Sequence, residues 1–422
     1  MLPAVAKVTR ERHWDTNDLV RRCCNSLCIA RETIMLLGAD GYHDADAPNN
    51  RILPEKIIGE TGLLLLVASM AGEHREIKVQ LEEVVAILLP YARAKKTFLD
   101  ICLQPPLAME YAMAHIFLSR MGYPDDRFDR LLLKTITASA RSGRERPPHR
   151  VMEQVWMNKI WKGEAPYNKS EFVRMMNDSA LNKPIDLLYG TTSDMYAFTH
   201  ALMYATNFNQ SPLKLPRSRA SILSEAEAML ARCLDDEDYD LGGEVLLNWP
   251  LTGNSWSPAA AFAFRVLARA EDEAGMLPAP GVDKEKIKKL ERVNREKYVY
   301  ATGYHTAYVM GLLCAVSLQP GKSPAKNIHS KHAVCGSAQR FLGYLDRDPK
   351  KKQWRDEFDK LKPAEQDALA GFLLNVAFIR NVRQKQYGAV YELLGIAYEM
   401  GMADTALASQ VAELLDRLSL LS

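Results

Sequence analysis

Apolar residues recur at intervals of three and four along most of the chain, whereas the alternation that is typical of strands is scarce. The segments with helical spacing are Leu19–Leu37, Lys78–Leu89, Ala108–Met121, Phe128–Ala140, Ser224–Cys233, Ala259–Ala270, Thr306–Ser317, Pro363–Phe378 and Tyr387–Met400. Glycines such as Gly38 and Gly401 follow these runs, as helix C-termini require. The pattern predicts an all-α protein with about twelve to fifteen helices, and with strands only as short connectors.

A short helical phrase occurs twice, as Tyr111-Ala-Met-Ala-His115 and as Tyr196-Ala-Phe-Thr-His200, 85 residues apart. In each phrase the tyrosine and the histidine are four residues apart and are predicted to share one helix face. If the interval spans two repeats, one unit is about 42 residues, the length of a helix–turn–helix pair.

Two further positions extend this series of intervals. Glu244 follows His200 by 44 residues, and His305 follows Glu244 by 61, an interval that contains the polar insertion Leu277–Lys297. Without that insertion of about 20 residues the interval returns to roughly one repeat. The spacing predicts helix-pair repeats that close into an (α/α) toroid or a barrel-like solenoid, with inner helices around a central cavity.

The length of 422 residues suits two or three ordinary domains, or one large toroid or solenoid. We expect one continuous domain with three parts: N-terminal helices in 1–100 that complete the ring, central repeats in 101–320 that carry the site, and C-terminal helices in 321–422. The amphipathic C-terminal helices are predicted either to dock on the ring or to pair two subunits in a homo-oligomer.

Composition narrows the classes of partner and compartment. Hydrophobic residues make up 47% and the net charge is only +2, which argues against a nucleic-acid-coating surface. The longest apolar stretch, Gly62–Ala71, is about half a bilayer span, so no membrane segment is predicted. Seven cysteines without regular spacing favour reduced thiols. We therefore expect a cytoplasmic protein without nucleic-acid or membrane partners.

The candidate catalytic residues are His200, Glu244, His305 and His115, because each lies in a helical segment otherwise rich in apolar or aromatic residues. A buried carboxylate must be paired, protonated or bound to metal. For each histidine the alternative is a buried structural role. The candidate substrate-binding residues are Tyr196, Tyr304, Trp249 and Asp194, and for Asp194 a role at a helix N-terminus competes.

Two chemical roles for this set remain open. His200, Glu244 and His305 could together bind zinc or non-haem iron, since two imidazoles and a carboxylate satisfy the minimal ligand set. The same groups without a metal could act as general acid and base on a small organic substrate. A third hypothesis is a non-catalytic helical scaffold that binds a peptide or protein partner.

Helix pairs with inward-pointing aromatic and histidine positions resemble the (α/α) toroid class, over roughly residues 100–320. That class includes lanthionine-synthetase cyclases, terpene cyclases, sugar epimerases and many carbohydrate-active enzymes, so the resemblance implies a central cavity. No motif of these families transfers residue by residue, and the acidic tract Asp235–Asp240 is typical of a solvated loop. The phrases around His200 and His305 also resemble those of uncharacterised bacterial proteins.

Overall fold

The computed structural model describes residues 14–44, 51–139, 145–163, 169–208, 215–331, 333–345 and 352–421. The protein is all-α, as predicted, and within these ranges a single small sheet pairs the two-residue strands β1 (Tyr42–His43) and β2 (Arg51–Ile52). A 3-10 turn at Pro105–Leu107 accompanies the α-helices.

The helices in the first half of the chain are α1 Thr16–Leu37, α2 Pro54–Ser69, α3 Arg75–Ala92, α4 Lys95–Leu103, α5 Ala108–Tyr111, α6 Met113–Arg120, α7 Asp126–Ser139, α8 Pro148–Lys162, α9 Lys169–Asp178 and α10 Thr192–Thr206. Those in the second half are α11 Arg219–Asp236, α12 Tyr239–Leu246, α13 Asn248–Thr252, α14 Pro258–Ala274, α15 Lys284–Lys289, α16 Arg292–Ser317, α17 Gln339–Leu342, α18 Gln353–Asp359, α19 Pro363–Asp367, α20 Ala370–Arg383, α21 Tyr387–Glu399 and α22 Ala406–Ser419.

Most predicted helices are present, but two are divided. The segment Ala108–Met121 breaks at Ala112, whose ψ of −2° departs from the helical value, so that α5 ends before α6 begins. The segment Pro363–Phe378 is divided in the same way between α19 and α20. Residue 140, the predicted end of the helix from Phe128, lies outside the described residues.

Six helices contact one another in a closed cycle. In order, α2 contacts α6, α6 contacts α8, α8 contacts α10, α10 contacts α12, α12 contacts α16, and α16 contacts α2. Helices α1, α3, α11 and α14, which are not members of this cycle, pack against it: α1 against α16 and α2, α3 against α2, and α11 and α14 against α12. The six members of the cycle are called the inner helices below, and these four the outer helices.

Glycines allow two of the inner pairs to approach closely. A Cβ atom on Gly243 of α12 would lie 2.5 Å from Cγ1 of Val309 on α16. A Cβ atom on Gly62 of α2 would lie 2.9 Å from the Cα atom of Ala114 on α6. Since real Cβ atoms keep more distance than this, both contacts depend on the missing side chain.

Arg22 connects the first helix to α14. Its side chain is 1% exposed, and its guanidinium donates to Asp18, to Glu271 and Asp272 on α14, and to the carbonyl of Ala268 at 3.1 Å. Burial would lower the pKa of Arg22, but these acceptors outweigh it and raise the pKa above its ordinary value. The cation therefore stays paired inside the protein.

The C-terminal helices pack on the outer helix α11, which α20 and α22 both contact. Asp235 near the end of α11 accepts from Nε of Arg380 at 2.8 Å and from Nε1 of Trp354 at 3.1 Å. The expectation of a solvated loop over Asp235–Asp240 is therefore wrong, because Asp235 and Asp240 are both buried and the tract is divided between α11 and α12. In the described ranges, no helix has both the length and the apolar character needed to cross a bilayer.

We predict that Gly243→Ala destabilises the protein by about 1–3 kcal/mol, because overpacking forces α12 away from Val309. Denaturant unfolding checks this value. Gly395→Ala is the matched control: that glycine lies within α21 with open space around it, and alanine should stabilise it by about 0.5–1 kcal/mol. If Val309→Ala fails to relieve the Gly243→Ala defect, the contact does not have the role assigned to it.

Candidate functional site

A cavity of about 590 Å³ lies inside the cycle of six helices. Each of the six contributes to its wall, and one representative from each, in chain order, is Glu60, Met113, Glu153, His200, Glu244 and His305. A cavity of this size suits a small organic molecule. The residues that line the cavity include charged groups, tyrosines and aliphatic side chains.

Helix α12 supplies the carboxylates around which the polar part of the site is arranged. Every residue of α12 is buried, and Asp240 and Glu244 are one helical turn apart on it. Asp238 caps the helix by accepting from the amide of Leu241 at 3.1 Å. A fully buried helix with two carboxylates needs polar partners on its neighbours, and α10 and α16 provide them.

The first acid–imidazole pair joins Asp240 to His305. Oδ1 of Asp240 lies 2.8 Å from Nδ1 of His305 and accepts from Thr306 at 2.8 Å, while Oδ2 accepts from the hydroxyl of Tyr196 at 2.6 Å. Burial would lower the pKa of His305, but the charges of Asp240 and Glu60 outweigh it and raise the pKa to about 10. His305 is therefore an imidazolium at neutral pH.

The second pair joins Glu244 to His200. Oε1 of Glu244 lies 3.4 Å from Nε2 of His200, and Oε2 accepts from the hydroxyl of Thr199 at 2.6 Å. Burial opposes protonation of His200, but the charge of Glu244 outweighs it, so the pKa of His200 is raised. Nδ1 of His200 is buried and has no hydrogen-bond partner among the described residues. This imidazole therefore keeps one ring nitrogen uncommitted.

Glu60 of α2 faces His305 across a gap. Oε2 of Glu60 accepts from the hydroxyl of Tyr304 at 2.7 Å, whereas Oε1 lies 3.9 Å from Nε2 of His305 and 3.8 Å from Nζ of Lys56. Both of these distances exceed hydrogen-bond length. A donor and an acceptor thus face each other in the cavity without bonding.

A further acidic group lies on α8. Glu153 accepts from the hydroxyl of Tyr204 at 2.7 Å and from Nη1 of Arg150 at 2.8 Å. The ring of His149 is 5.9 Å from that of His200, and burial together with the positive charge of His200 lowers the pKa of His149 to about 4. His149 is therefore neutral at neutral pH.

The structure brings three of the predicted catalytic residues to one cavity, since His200, Glu244 and His305 all line it. Tyr196 and Tyr304 stand behind the lining, where they donate to Asp240 and Glu60. These two tyrosines hold the carboxylates in place and do not themselves line the cavity.

His115 lies apart from this cavity. Its ring is fully buried and stacks on Phe128 at 4.0 Å; Nδ1 accepts from Nε of Arg93 at 3.2 Å, and Nε2 lies 3.0 Å from Oδ1 of Asp129. The break at Ala112 separates it from Tyr111, which does line the cavity. The expectation that both members of the first phrase share one face is therefore wrong.

The other two predicted residues also lie elsewhere. Trp249 is 1% exposed in α13 and stacks on Trp256, with ring centroids 6.3 Å apart. Asp194 is exposed at the start of α10, where it accepts from the amide of Thr191 at 2.8 Å and so completes a capping box. The geometry gives these residues packing and capping roles.

The metal hypothesis does not fit the donors that are present. In the part of the chain that the structure describes, no three His, Cys, Asp or Glu side chains are grouped so as to hold a metal ion. His200 is directed to Glu244, and His305 to Asp240 and Glu60, so the two imidazoles belong to separate ion pairs. We therefore derive no step through zinc or iron.

Sequence reasoning missed Asp240 and Glu60. Asp240 lies in a run of acidic residues, so the sequence did not distinguish it from its neighbours. Its four-residue spacing from Glu244 is the signal that would have placed both on one helix face. Glu60 is similarly an isolated acid next to the apolar run of α2. In each case an acidic residue beside an apolar helical segment indicates a carboxylate that is paired with a neighbouring group.

Residues 36–315 match the model of a family described as "Domain of unknown function (DUF6895)". The chain belongs to this family. The matched region runs from the end of α1 into α16 and so includes the residues of both acid–imidazole pairs. No curated protein and no solved structure matches the chain.

We predict that the imidazole of His305 titrates near pH 10 and that Asp240→Asn lowers its pKa, because the largest favourable charge is removed. NMR titration of the histidine ring protons, assigned with His305→Gln, measures both values. A raised pKa means that the stabilising contribution of His305 is complete below its unfolded-state pKa and disappears as pH rises towards 10. Titration of His305 at its ordinary pKa in the unaltered protein would contradict the assignment.

We predict that His115→Ala lowers the free energy of unfolding by about 2–4 kcal/mol, because it opens a cavity and leaves Asp129 and Arg93 without this partner. Denaturant unfolding measures the loss. The exposed His329 provides the control, since His329→Ala should change stability by no more than about 0.5 kcal/mol. Equal stability of the two variants would show that His115 is not a structural residue.

Proposed function

We propose that the protein is an enzyme that performs metal-free acid–base chemistry on a small organic substrate in a cavity at the centre of an (α/α) toroid. The observation that carries the proposal is the presence of two imidazole–carboxylate pairs, one helical turn apart on α12, that open into a single cavity. The closed cycle of contacts among six inner helices supports the toroidal arrangement.

His305 supplies a fixed positive charge in this proposal. Asp240 orients the ring through Nδ1, and Tyr196 and Thr306 in turn fix Asp240. Nε2 of His305 then faces the cavity, where its N–H can donate a hydrogen bond to an oxygen of the substrate. A preorganised cationic donor stabilises negative charge that develops on such an oxygen during reaction.

His200 carries the proton in this proposal. Its pKa is raised from the ordinary value by Glu244, which favours the protonated ring; this ring can donate a proton to one substrate atom and, once neutral, accept a proton from another. Its contact with Glu244 is 3.4 Å, so Nε2 is held only by a long hydrogen bond. Glu244 keeps its orientation through Thr199.

We predict that Glu244→Gln lowers turnover by about 10²–10⁴-fold, the usual contribution of a positioned acid or base, because His200 loses the partner that raises its pKa. We predict that His305→Gln lowers turnover by about 10²–10³-fold, the usual loss when a preorganised donor to developing negative charge is removed. The protein is incubated with a fractionated cell extract, and small molecules that change are identified by mass spectrometry. His329→Gln, at an exposed imidazole, is the control and should turn over at the unaltered rate.

The alternative function, a scaffold that binds a peptide or protein, makes a different prediction for the same variants. In that case no compound is consumed by the unaltered protein, and His305→Gln and Glu244→Gln change only its stability. Unaltered turnover in both variants would contradict the proposed roles directly.

A further inference from the structure

We propose, building on the acid–base function above, that the substrate is a neutral organic molecule whose hydroxyl group inserts between His305 and Glu60. The remainder of the molecule is apolar and packs on the aliphatic part of the cavity wall. Glu60 is thereby assigned as the residue that accepts a hydrogen bond from the hydroxyl group of the substrate. Three features of the site support this assignment.

The first feature is the gap between the two groups. Nε2 of His305 and Oε1 of Glu60 are 3.9 Å apart, and neither atom has a hydrogen-bond partner among the described residues. One oxygen atom on the cavity side of this gap can lie at the ordinary hydrogen-bond length of about 2.8 Å from each atom and so bridge the two. That oxygen must accept from His305 and donate to Glu60, and a hydroxyl group does both.

The second feature is the balance of charge around the cavity. Carboxylates of the site face basic groups in the pairs Asp240–His305, Glu244–His200, Glu60–Lys56, Glu153–Arg150, Glu110–Arg146 and Glu55–Lys96. Glu145, the remaining acid of the lining, is exposed at the rim. A charged ligand would enter without a spare counter-charge and would lose its hydration, so the balance favours a neutral one.

The third feature is the apolar floor. Met203, Val309 and Leu312 line the cavity and are respectively 4%, 1% and 7% exposed, whereas Lys56 and Arg150 at the opening are exposed. A ligand that reaches past His305 therefore meets aliphatic side chains. Burial of an apolar group there is favourable in proportion to the area removed from water.

The experiment compares four ligands that share a phenyl group and differ in their polar group: benzyl alcohol, benzyl methyl ether, benzoate and benzylammonium. Binding to the full chain is measured by ligand-observed NMR titration. We expect benzyl alcohol to bind about tenfold more tightly than each of the others, because only it is neutral and also donates to Glu60. Glu60→Gln should weaken the binding of benzyl alcohol and strengthen the binding of benzoate. Glu82→Gln, at an exposed carboxylate on α3, should change the affinity for neither ligand.

The panel on the unaltered protein decides the proposal even if Glu60→Gln does not fold. Equal binding of the methyl ether, preference for either charged ligand, or absence of binding by the alcohol overturns it. Those results leave the acid–base function standing if His305→Gln still abolishes turnover. If the alcohol binds preferentially but the protein turns over no compound, the proposed ligand class is supported and the proposed enzymatic function is contradicted.

Discussion

Burial of the Asp240 carboxylate is the constraint on which the site depends. A charged group removed from water must be satisfied by its surroundings, and all the groups that satisfy Asp240 come from α10 and α16. Three helices are therefore joined at one carboxylate. The position of His305 follows from this arrangement, and Gly243 allows α12 and α16 to come close enough for it.

Helical periodicity predicted the all-α class and most helices because their apolar spacing is regular along the chain. It could not predict the division at Ala112, where the apolar spacing continues although the ψ angle of −2° departs from the helical value. Closure of the helix pairs into a ring stays a prediction, supported by the cycle of contacts among the inner helices.

The candidate site was only partly predictable for a related reason. The two copies of the Tyr–His phrase look equivalent in the sequence, yet His200 faces the cavity while His115 is enclosed by Phe128, Arg93 and Asp129. The difference arises from residues distant in the chain, which local spacing does not contain. Asp240 was predictable from its spacing to Glu244, and only its acidic neighbours concealed it.

The ion pairs of Arg22 have a consequence for how the chain is made. Its partner Glu271 lies 249 residues further along, so α1 emerges from the ribosome long before α14 exists. At about 5–20 residues per second, that delay lasts roughly 12–50 seconds. During translation the first helix must wait with its cationic side chain in water, so the burial of Arg22 is completed only after α14 has been made.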